Sequence, residues 1–180
     1  MRIAFSGAHS TGKSTLAEWL SAELGLPYVR ETARQVFERM GIGSADLSLL
    51  PTERRMEAQG AIIRDHIEAT CAEAFVSDRA EADVLAYSLY WLDRDGWPKW
   101  LEAMRVMAKH GAERYDLVFL VPPFGTLAAD GLRVEAPDHQ WTIHYLIAGI
   151  LRECGYPVRE LRSCGINERK EEVLRHLGKA

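Results

Sequence analysis

Eight residues near the start of the chain constrain its fold more than any other stretch. Segment 7–14 reads Gly-Ala-His-Ser-Thr-Gly-Lys-Ser, in which two glycines are separated by four residues and followed by lysine and a hydroxyl residue. The apolar run 3–5 precedes this segment, and Leu16, Leu20 and Leu24 follow it at helical spacing. A strand, a loop and a helix in this order predict a phosphate-binding loop.

Such a loop binds phosphate through backbone N–H groups that converge at the N-terminus of the following helix, and its glycines allow close backbone approach. We expect Lys13 to reach the β- and γ-phosphates and the Ser14 hydroxyl to ligate Mg²⁺. No role is assigned to the side chain of His9. The alternative is a glycine-rich turn that only starts a helix. The predicted nucleotide-binding residues of this segment are Gly7, Ser10, Thr11, Gly12, Lys13, Ser14 and Thr15.

Length and charge limit the size of the domain and the kinds of molecule that it is expected to bind. The chain has 180 residues of which 47% are hydrophobic, enough for one domain with a substantial core, predicted to span residues 1–180. Its formal net charge of −4 lacks the basic excess that is typical of nucleic-acid-binding proteins. This composition favours a small-molecule acceptor, although a local basic groove for nucleic acid stays possible.

Cysteine usage and hydropathy indicate the compartment. Cys71, Cys154 and Cys164 are odd in number and lack metal-ligand spacing, so we expect neither a disulfide framework nor a zinc site. The first residues show no charged and apolar leader, and the longest apolar run is the stretch 117–124. We expect a soluble, cytoplasmic protein without membrane contact.

Apolar periodicity and turn residues predict strands that alternate with helices. Strands are expected at 3–5, 28–30, 75–78, 117–121 and 158–161. Helices are expected at 13–24, 33–40, between Pro51 and Cys71, at 80–92, around 100–107, at 137–154 with Trp141, Tyr145 and Ala148 on one face, and after Asn167 as a cap. The predicted fold is α/β, a doubly wound and mainly five-stranded parallel sheet with its active site at the strand C-termini.

Several segments together resemble a known family. They are the phosphate loop, 28–34, Asp78-Arg79 with 83–87, 117–123, Asp130-Gly131-Leu132-Arg133 and the turn 165–169. In this order they resemble the P-loop kinase family that contains the ribosylnicotinamide kinase domain of NadR-type proteins. The resemblance covers nearly the whole chain. It implies a three-layer α/β/α kinase domain standing alone, Mg-ATP as phosphoryl donor, a nucleoside-like acceptor, and Asp83 among the substrate-binding residues.

Phosphoryl transfer requires positioning and charge neutralisation, which suggests roles at the end of the third strand. Asp78 is expected to hold Mg²⁺ directly or through water, and the alternative is an N-cap of the helix that starts near Ala80. Arg79 is expected to bind the acceptor or the γ-phosphate, because its guanidinium forms a fork suited to phosphate. The alternative for Arg79 is a surface ion pair.

Other candidates lie on the acceptor, lid and adenine sides. Glu31 ends the second strand and could accept the proton of an acceptor hydroxyl, with Arg34 gripping an acceptor phosphate or ribose. The alternative is a first-turn glutamate paired with Arg34. Arg133 resembles a lid arginine that closes over the phosphates, as against a solvated loop charge. Asn167 and Arg169 follow the last strand, where related kinases hold adenine, and helix capping is the alternative.

Three functions remain open at this point. The first is a kinase that uses Mg-ATP on a hydroxyl of a nucleoside-like molecule, and the second is a nucleotide or polynucleotide kinase. The third is a regulatory NTPase without an acceptor. A basic groove with salt-sensitive affinity would indicate a polynucleotide substrate.

Overall fold

The strands of the protein form one parallel sheet. The computed structural model describes residues 1–43, 49–91, 98–124 and 137–179. The strands are β1 (Arg2–Ser6), β2 (Tyr28–Val29), β3 (Phe75–Asp78), β4 (Leu117–Leu120) and β5 (Val158–Glu160), in the spatial order β2-β3-β1-β4-β5. Every strand pairing is parallel, as in the register that joins Phe5 to Asp78 on one side and to Phe119 on the other.

Helices connect successive strands. They are α1 (Lys13–Leu24), α2 (Thr32–Met40), α3 (Thr52–Ala69), α4 (Glu81–Trp91), α5 (Pro98–Gly111), α6 (Pro137–Glu153) and α7 (Ile166–His176), with a short 3₁₀ turn at Ala112–Arg114. Parallel strands require such crossovers, and they place all strand C-termini at one edge. The predicted doubly wound α/β fold is therefore confirmed. That residues 1–180 act as one functional domain stays a prediction.

Two apolar clusters cover the two faces of the sheet. Ile3 and Phe5 of β1 pack with the fully buried Leu16 and Leu20 of α1 and with Val173 of α7. Ala4, which points to the other face because strand side chains alternate, belongs to a larger cluster with residues of α3, α4, α5 and α6. The sheet is thus held between helical layers, and its edge at the strand C-termini is the expected place for a site.

Local signals set most helix ends where the sequence predicts them. Helix α1 has the predicted bounds and ends at Gly25, whose φ of 64° is the left-handed conformation typical of a C-terminal glycine. Gly41 ends α2 with the same φ of 64°.

No helix in the described part of the chain is long and apolar enough to cross a membrane. The cytoplasmic location stays a prediction.

Helix α6 turns a different face to the core from the one that the sequence analysis described. Trp141 and Tyr145 share a face, as predicted, with their ring centres 5.5 Å apart, but Tyr145 is 66% exposed, whereas Ile143 and Ile147 are fully buried. Position 145 lies about 180° from the mean direction of this buried stripe at 100° per residue. The branched aliphatic residues pack against the sheet, and the aromatic ones stay near the surface.

Replacing Ile147 by alanine tests this orientation. Ile147→Ala should lower the free energy of unfolding by about 2–5 kcal/mol, because it removes buried methyl groups and leaves a cavity. The matched control Tyr145→Ala on the same helix should stay within about 0.5 kcal/mol of the parent. Urea denaturation measures both, and a larger loss for Tyr145→Ala than for Ile147→Ala would contradict the observed packing.

Candidate functional site

The phosphate loop needs glycine at its first position. Gly7 has a φ of 144°, and a Cβ built on it would lie only 2.5 Å from the backbone oxygen of Val121, just past β4. Gly12 also has a positive φ, 86°, at the start of α1. Ser10 adopts φ 56° although it is not glycine. The loop is therefore wedged between the ends of β1 and β4 in a conformation that a side chain at position 7 would prevent.

Lys13 is buried beneath the loop. It is 4% exposed, and its Nζ donates to the carbonyl oxygen of Ala8 and, at 3.4 Å, to the hydroxyl of Thr11. Burial, aided by the positive charge of Arg79 and opposed by nearby carboxylates, lowers the pKa of Lys13 to about 7. An anion in the loop would favour the charged form of this amine.

Ser14 and Asp78 form a pair of oxygen donors beside Lys13. The Ser14 hydroxyl donates to Oδ2 of Asp78 at 2.6 Å, and Asp78 is 2% exposed. Its other oxygen, Oδ1, is buried and accepts no hydrogen bond within the described part of the chain. Burial raises the pKa of Asp78, while the charge of Lys13 opposes the rise. The side chain bonds Ser14 and does not cap α4.

The Asp78–Ser14 pair fits a magnesium ion. A hydroxyl and a carboxylate are the hard oxygen ligands that Mg²⁺ prefers, and the unsatisfied Oδ1 is a buried acceptor that a cation or its bound water would satisfy. The residues present are therefore those that the ion requires, at the place where the sequence predicts them.

Arg79 follows Asp78 and holds the acceptor side together. Its Nε donates to Oε1 of Glu31 at 2.7 Å, its Nη1 lies 3.2 Å from Oδ1 of Asp83, and its guanidinium lies 5.1 Å from the ring centre of Tyr87. The side chain is 9% exposed, so the surface ion pair considered above is wrong. Burial alone lowers the pKa of Arg79, but the neighbouring carboxylates, Glu31 foremost, raise it well above its usual value.

Glu31 lies between two arginines, of which Arg34 is the one that the sequence analysis placed beside it. Arg34, whose side chain is 57% exposed, places its Nε 3.7 Å from Oε2 of Glu31, while Arg79 contacts Oε1. Both Glu31 and Arg34 border a cavity of about 370 Å³. The structure thus brings Glu31, Arg34 and Arg79 to one place.

This cavity opens beside the phosphate loop and lies between α2, α3 and α4. The charged groups stand at one side, and much of the remaining wall is apolar or aromatic. Described residues of that wall include Phe37, Ile42, Ile62, Val84, Tyr87 and Trp91. A cavity of this size and lining is suited to a small organic molecule with a planar or apolar part.

Asp83 differs from its predicted role. It is fully buried, and its two oxygens accept hydrogen bonds from four protein groups: the Ser6 hydroxyl, the Gly7 and Ala80 N–H groups, and Arg79. Asp83 borders the cavity, but both oxygens are occupied by the protein. Its visible role is therefore to hold other residues, and this is a correction to the predicted direct contact with substrate.

No sequence pattern identifies the residues that attach α6 to the phosphate loop. Gln140 donates to the backbone oxygen of His9 at 2.7 Å, and the rings of His9 and His139 are 5.2 Å apart. The His9 N–H also donates to the Tyr87 hydroxyl at 3.1 Å. His9 occupies a variable position of the loop pattern, and its partners lie far away along the chain, so no local pattern could identify these contacts.

Arg169 and Asn167, both predicted to lie near adenine, have different surroundings in the structure. Arg169 is 3% exposed and donates to three backbone carbonyls, those of Thr11 at 2.6 Å, Pro122 at 3.0 Å and Ser163 at 2.8 Å. It supports the phosphate loop from behind. Asn167 is exposed in the first turn of α7, and Gly165 is the residue that caps that helix.

The two remaining candidates are Thr15 and Arg133. Thr15 is exposed in the first turn of α1, and its contact with nucleotide stays a prediction. Arg133, the predicted lid arginine, lies outside the described residues.

Comparison with known protein families gives one match. The sequence profile of a family described as an AAA domain matches residues 2–169, which is most of the chain. No curated protein sequence is significantly similar to it.

Three solved structures share the fold. Deoxyadenosine kinase from M. mycoides with bound dCTP has a TM-score of 0.72 and 13% identity, with 100% of both chains covered. A NadR protein in complex with NR has a TM-score of 0.73 and 20% identity over 98% of this chain, which spans only 50% of the NadR chain. Thymidylate kinase from Ehrlichia chaffeensis has a TM-score of 0.54 and 18% identity, with 98% of both chains covered.

Replacing Gly7 by alanine tests the shape of the loop. Gly7→Ala should lower the free energy of unfolding by about 1–3 kcal/mol or more, because the new Cβ meets Val121 and the φ is unfavourable. The control Gly60→Ala lies within α3 with no atom within 4 Å of the added Cβ, and it should stabilise the protein by about 0.5–1 kcal/mol. Urea denaturation compares the two, and a neutral Gly7→Ala would contradict the close approach to Val121.

Proposed function

Since the chain belongs to the AAA domain family, we propose that it is a kinase that transfers the γ-phosphate of Mg-ATP to a hydroxyl of a nucleoside-like small molecule. The observation that carries this proposal is the cavity beside the phosphate loop, bordered by Glu31, Arg34 and Arg79. A regulatory NTPase without an acceptor has no need for such a cavity. Fold similarity to deoxyadenosine kinase and to a NadR protein supports the same class of reaction.

On the donor side, we assign Lys13 to the β- and γ-phosphates and the backbone N–H groups from Gly7 to Thr15 to the phosphate oxygens. Ser14 and Asp78 would hold Mg²⁺, which supplies positive charge against the phosphates when bound. Lys13 contributes a positive charge that the phosphates would stabilise, because burial disfavours the charged form of this amine. Arg169 keeps Thr11 in place from behind.

On the acceptor side, we assign the base to Glu31. Glu31 accepts the proton of the acceptor hydroxyl as the oxygen forms its bond to the γ-phosphorus and the bond from that phosphorus to ADP breaks. Arg79 orients the Glu31 carboxylate through the 2.7 Å contact. Arg34 is exposed enough to contact a ribose or an acceptor phosphate at the cavity.

The cavity also bears on the class of acceptor. Its volume of about 370 Å³ lies in the range of small-molecule sites, and its apolar walls suit a base or another planar ring. The net charge of −4 offers a polynucleotide little general attraction. A nucleotide acceptor is the second candidate, because Arg34 would supply the charge that its phosphate needs.

The decisive experiment is a screen for transfer of labelled γ-phosphate from ATP to nucleosides, nucleotides and DNA ends. We expect a nucleoside-like molecule to be phosphorylated, and Lys13→Ala should abolish that transfer while the protein stays folded by circular dichroism. Hydrolysis of ATP that no acceptor changes would favour the regulatory NTPase. Preferential labelling of DNA, with affinity that falls steeply as salt rises, would favour the polynucleotide kinase.

Glu31→Gln tests the acceptor-side base. Glutamine keeps the size of the side chain but cannot accept the proton, so kcat for the acceptor should fall by about 10² to 10⁴. Affinity for a non-hydrolysable ATP analogue, measured by calorimetry, should stay near that of the parent. The control Glu23→Gln, exposed near the end of α1, should leave both quantities unchanged. If kcat falls less than about tenfold, or if nucleotide affinity falls in parallel with it, Asp78 becomes the better candidate for the base.

A further inference from the structure

Asp83 receives more hydrogen bonds than its place in a helix requires. Its side chain is fully buried, with Oδ1 3.0 Å from the Gly7 nitrogen and Oδ2 2.5 Å from the Ser6 hydroxyl. Oδ2 also accepts from the nitrogen of Ala80, just before α4, at 3.1 Å. One carboxylate thus fixes both the end of β1 and the start of α4.

The same carboxylate holds Arg79. Nη1 of Arg79 lies 3.2 Å from Oδ1 of Asp83 and 3.4 Å from the backbone oxygen of Gly7, while Nε donates to Glu31. A continuous series of contacts therefore runs from the first glycine of the phosphate loop through Asp83 and Arg79 to Glu31. One end of this series lies on the nucleotide side of the proposed reaction, and the other end lies on the acceptor side.

Arg79 is itself in an unfavourable backbone conformation. Its φ is 101°, in the region that favours glycine. The turn is held on both sides, by the bond from the Arg79 nitrogen to the Phe5 oxygen and by the bond from the Ala80 nitrogen to Asp83. Such a conformation persists only where the surroundings enforce it, and Asp83 supplies part of that enforcement.

We propose that Asp83 is a positioning residue which fixes Glu31 relative to the phosphate loop by acting through Arg79. The inference rests on the proposed kinase function, in which Glu31 and the phosphate loop contact the two reacting molecules. Asp83 itself touches neither molecule. Its negative charge keeps the guanidinium in one orientation, and its bond to Gly7 ties that orientation to the loop.

Positioning of this kind acts on the chemical step more than on binding. A displacement of about 1 Å between reacting groups can cost about 10²-fold in rate, even when each substrate still binds. Loss of the Asp83 charge should therefore lower kcat while KM for the acceptor changes little. General destabilisation would instead lower the amount of folded enzyme and leave kcat per folded molecule unchanged.

Asp83→Asn is the principal variant, and Glu81→Gln is its matched control. Both positions lie in the first turn of α4 and both side chains are fully buried, but Glu81 makes no contact with the phosphate loop or Arg79 among the described residues. Asp83→Asn should lower kcat by about 10²-fold with KM for the acceptor changed less than about threefold. Glu81→Gln should leave kcat per folded molecule unchanged.

A second readout does not depend on the acceptor. The Nε–H resonance of Arg79 in a ¹⁵N-labelled sample, assigned through its loss in Arg79→Lys, reports the bond to Glu31. Asp83→Asn should shift or broaden this resonance, and Glu81→Gln should not. If the parent protein phosphorylates no acceptor, the kinase proposal fails, whereas this resonance still decides whether Asp83 positions Arg79.

Ser6→Ala is the substitute variant if Asp83→Asn does not fold. It removes one bond to Asp83 Oδ2 while leaving the charge in place, so kcat should fall by a smaller factor, about threefold to tenfold, with the Arg79 resonance shifted in the same direction. The inference is overturned if Asp83→Asn, or Ser6→Ala in its place, leaves the Arg79 resonance unmoved. A fall in kcat for Glu81→Gln equal to that for Asp83→Asn also overturns it.

Discussion

The site depends on burying several opposite charges close to one another. Lys13, Asp78, Arg79 and Asp83 are all less than a tenth exposed, and Glu31 is only slightly more so. A buried charge is costly unless an opposite charge or several hydrogen bonds accompany it. Each of these groups therefore constrains the others, and the sheet edge must hold them all at fixed distances.

The parallel sheet makes this arrangement possible. Ser6, Val29 and Asp78 end three neighbouring strands, so the residues just after them meet at one edge although they are far apart in sequence. The apolar clusters on both faces keep the strands rigid. The free-energy cost of burying these charges is thus offset by an apolar core to which the charged residues do not belong.

Much of the fold could be predicted from the sequence because its signals are local. Gly25 and Gly41 end helices through their own conformation, and the apolar strands carry their pattern within a few residues. The orientation of α6 could not be predicted in this way. Ile147 and Tyr145 are both suited to a buried helix face, and the packing partner that selects between them comes from elsewhere in the chain.

The candidate site likewise contains residues that could be predicted from the sequence and residues that could not. Lys13, Ser14 and Asp78 were predicted from spacing and strand ends, and the structure brings them together. Asp83 and Arg169 were predicted to touch ligands but contact protein groups instead. Sequence reasoning recognises that a polar residue is near a site, but only the fold reveals whether its hydrogen bonds are already taken. No local sequence pattern could identify the contacts of His9, because its partners, Tyr87 and Gln140, are distant in sequence.

Lys13 shows how the same burial serves both stability and binding. Burial lowers the pKa of Lys13 to about 7, so the charged form of this amine is held at a cost in free energy. The Ala8 oxygen, the Thr11 hydroxyl and the nearby carboxylates offset this cost only in part. Phosphate oxygens in the loop would supply that charge where water is already excluded, and electrostatic attraction is strongest there. In the proposed function, the amine whose charged form is disfavoured by burial is therefore the one that gains most from the nucleotide.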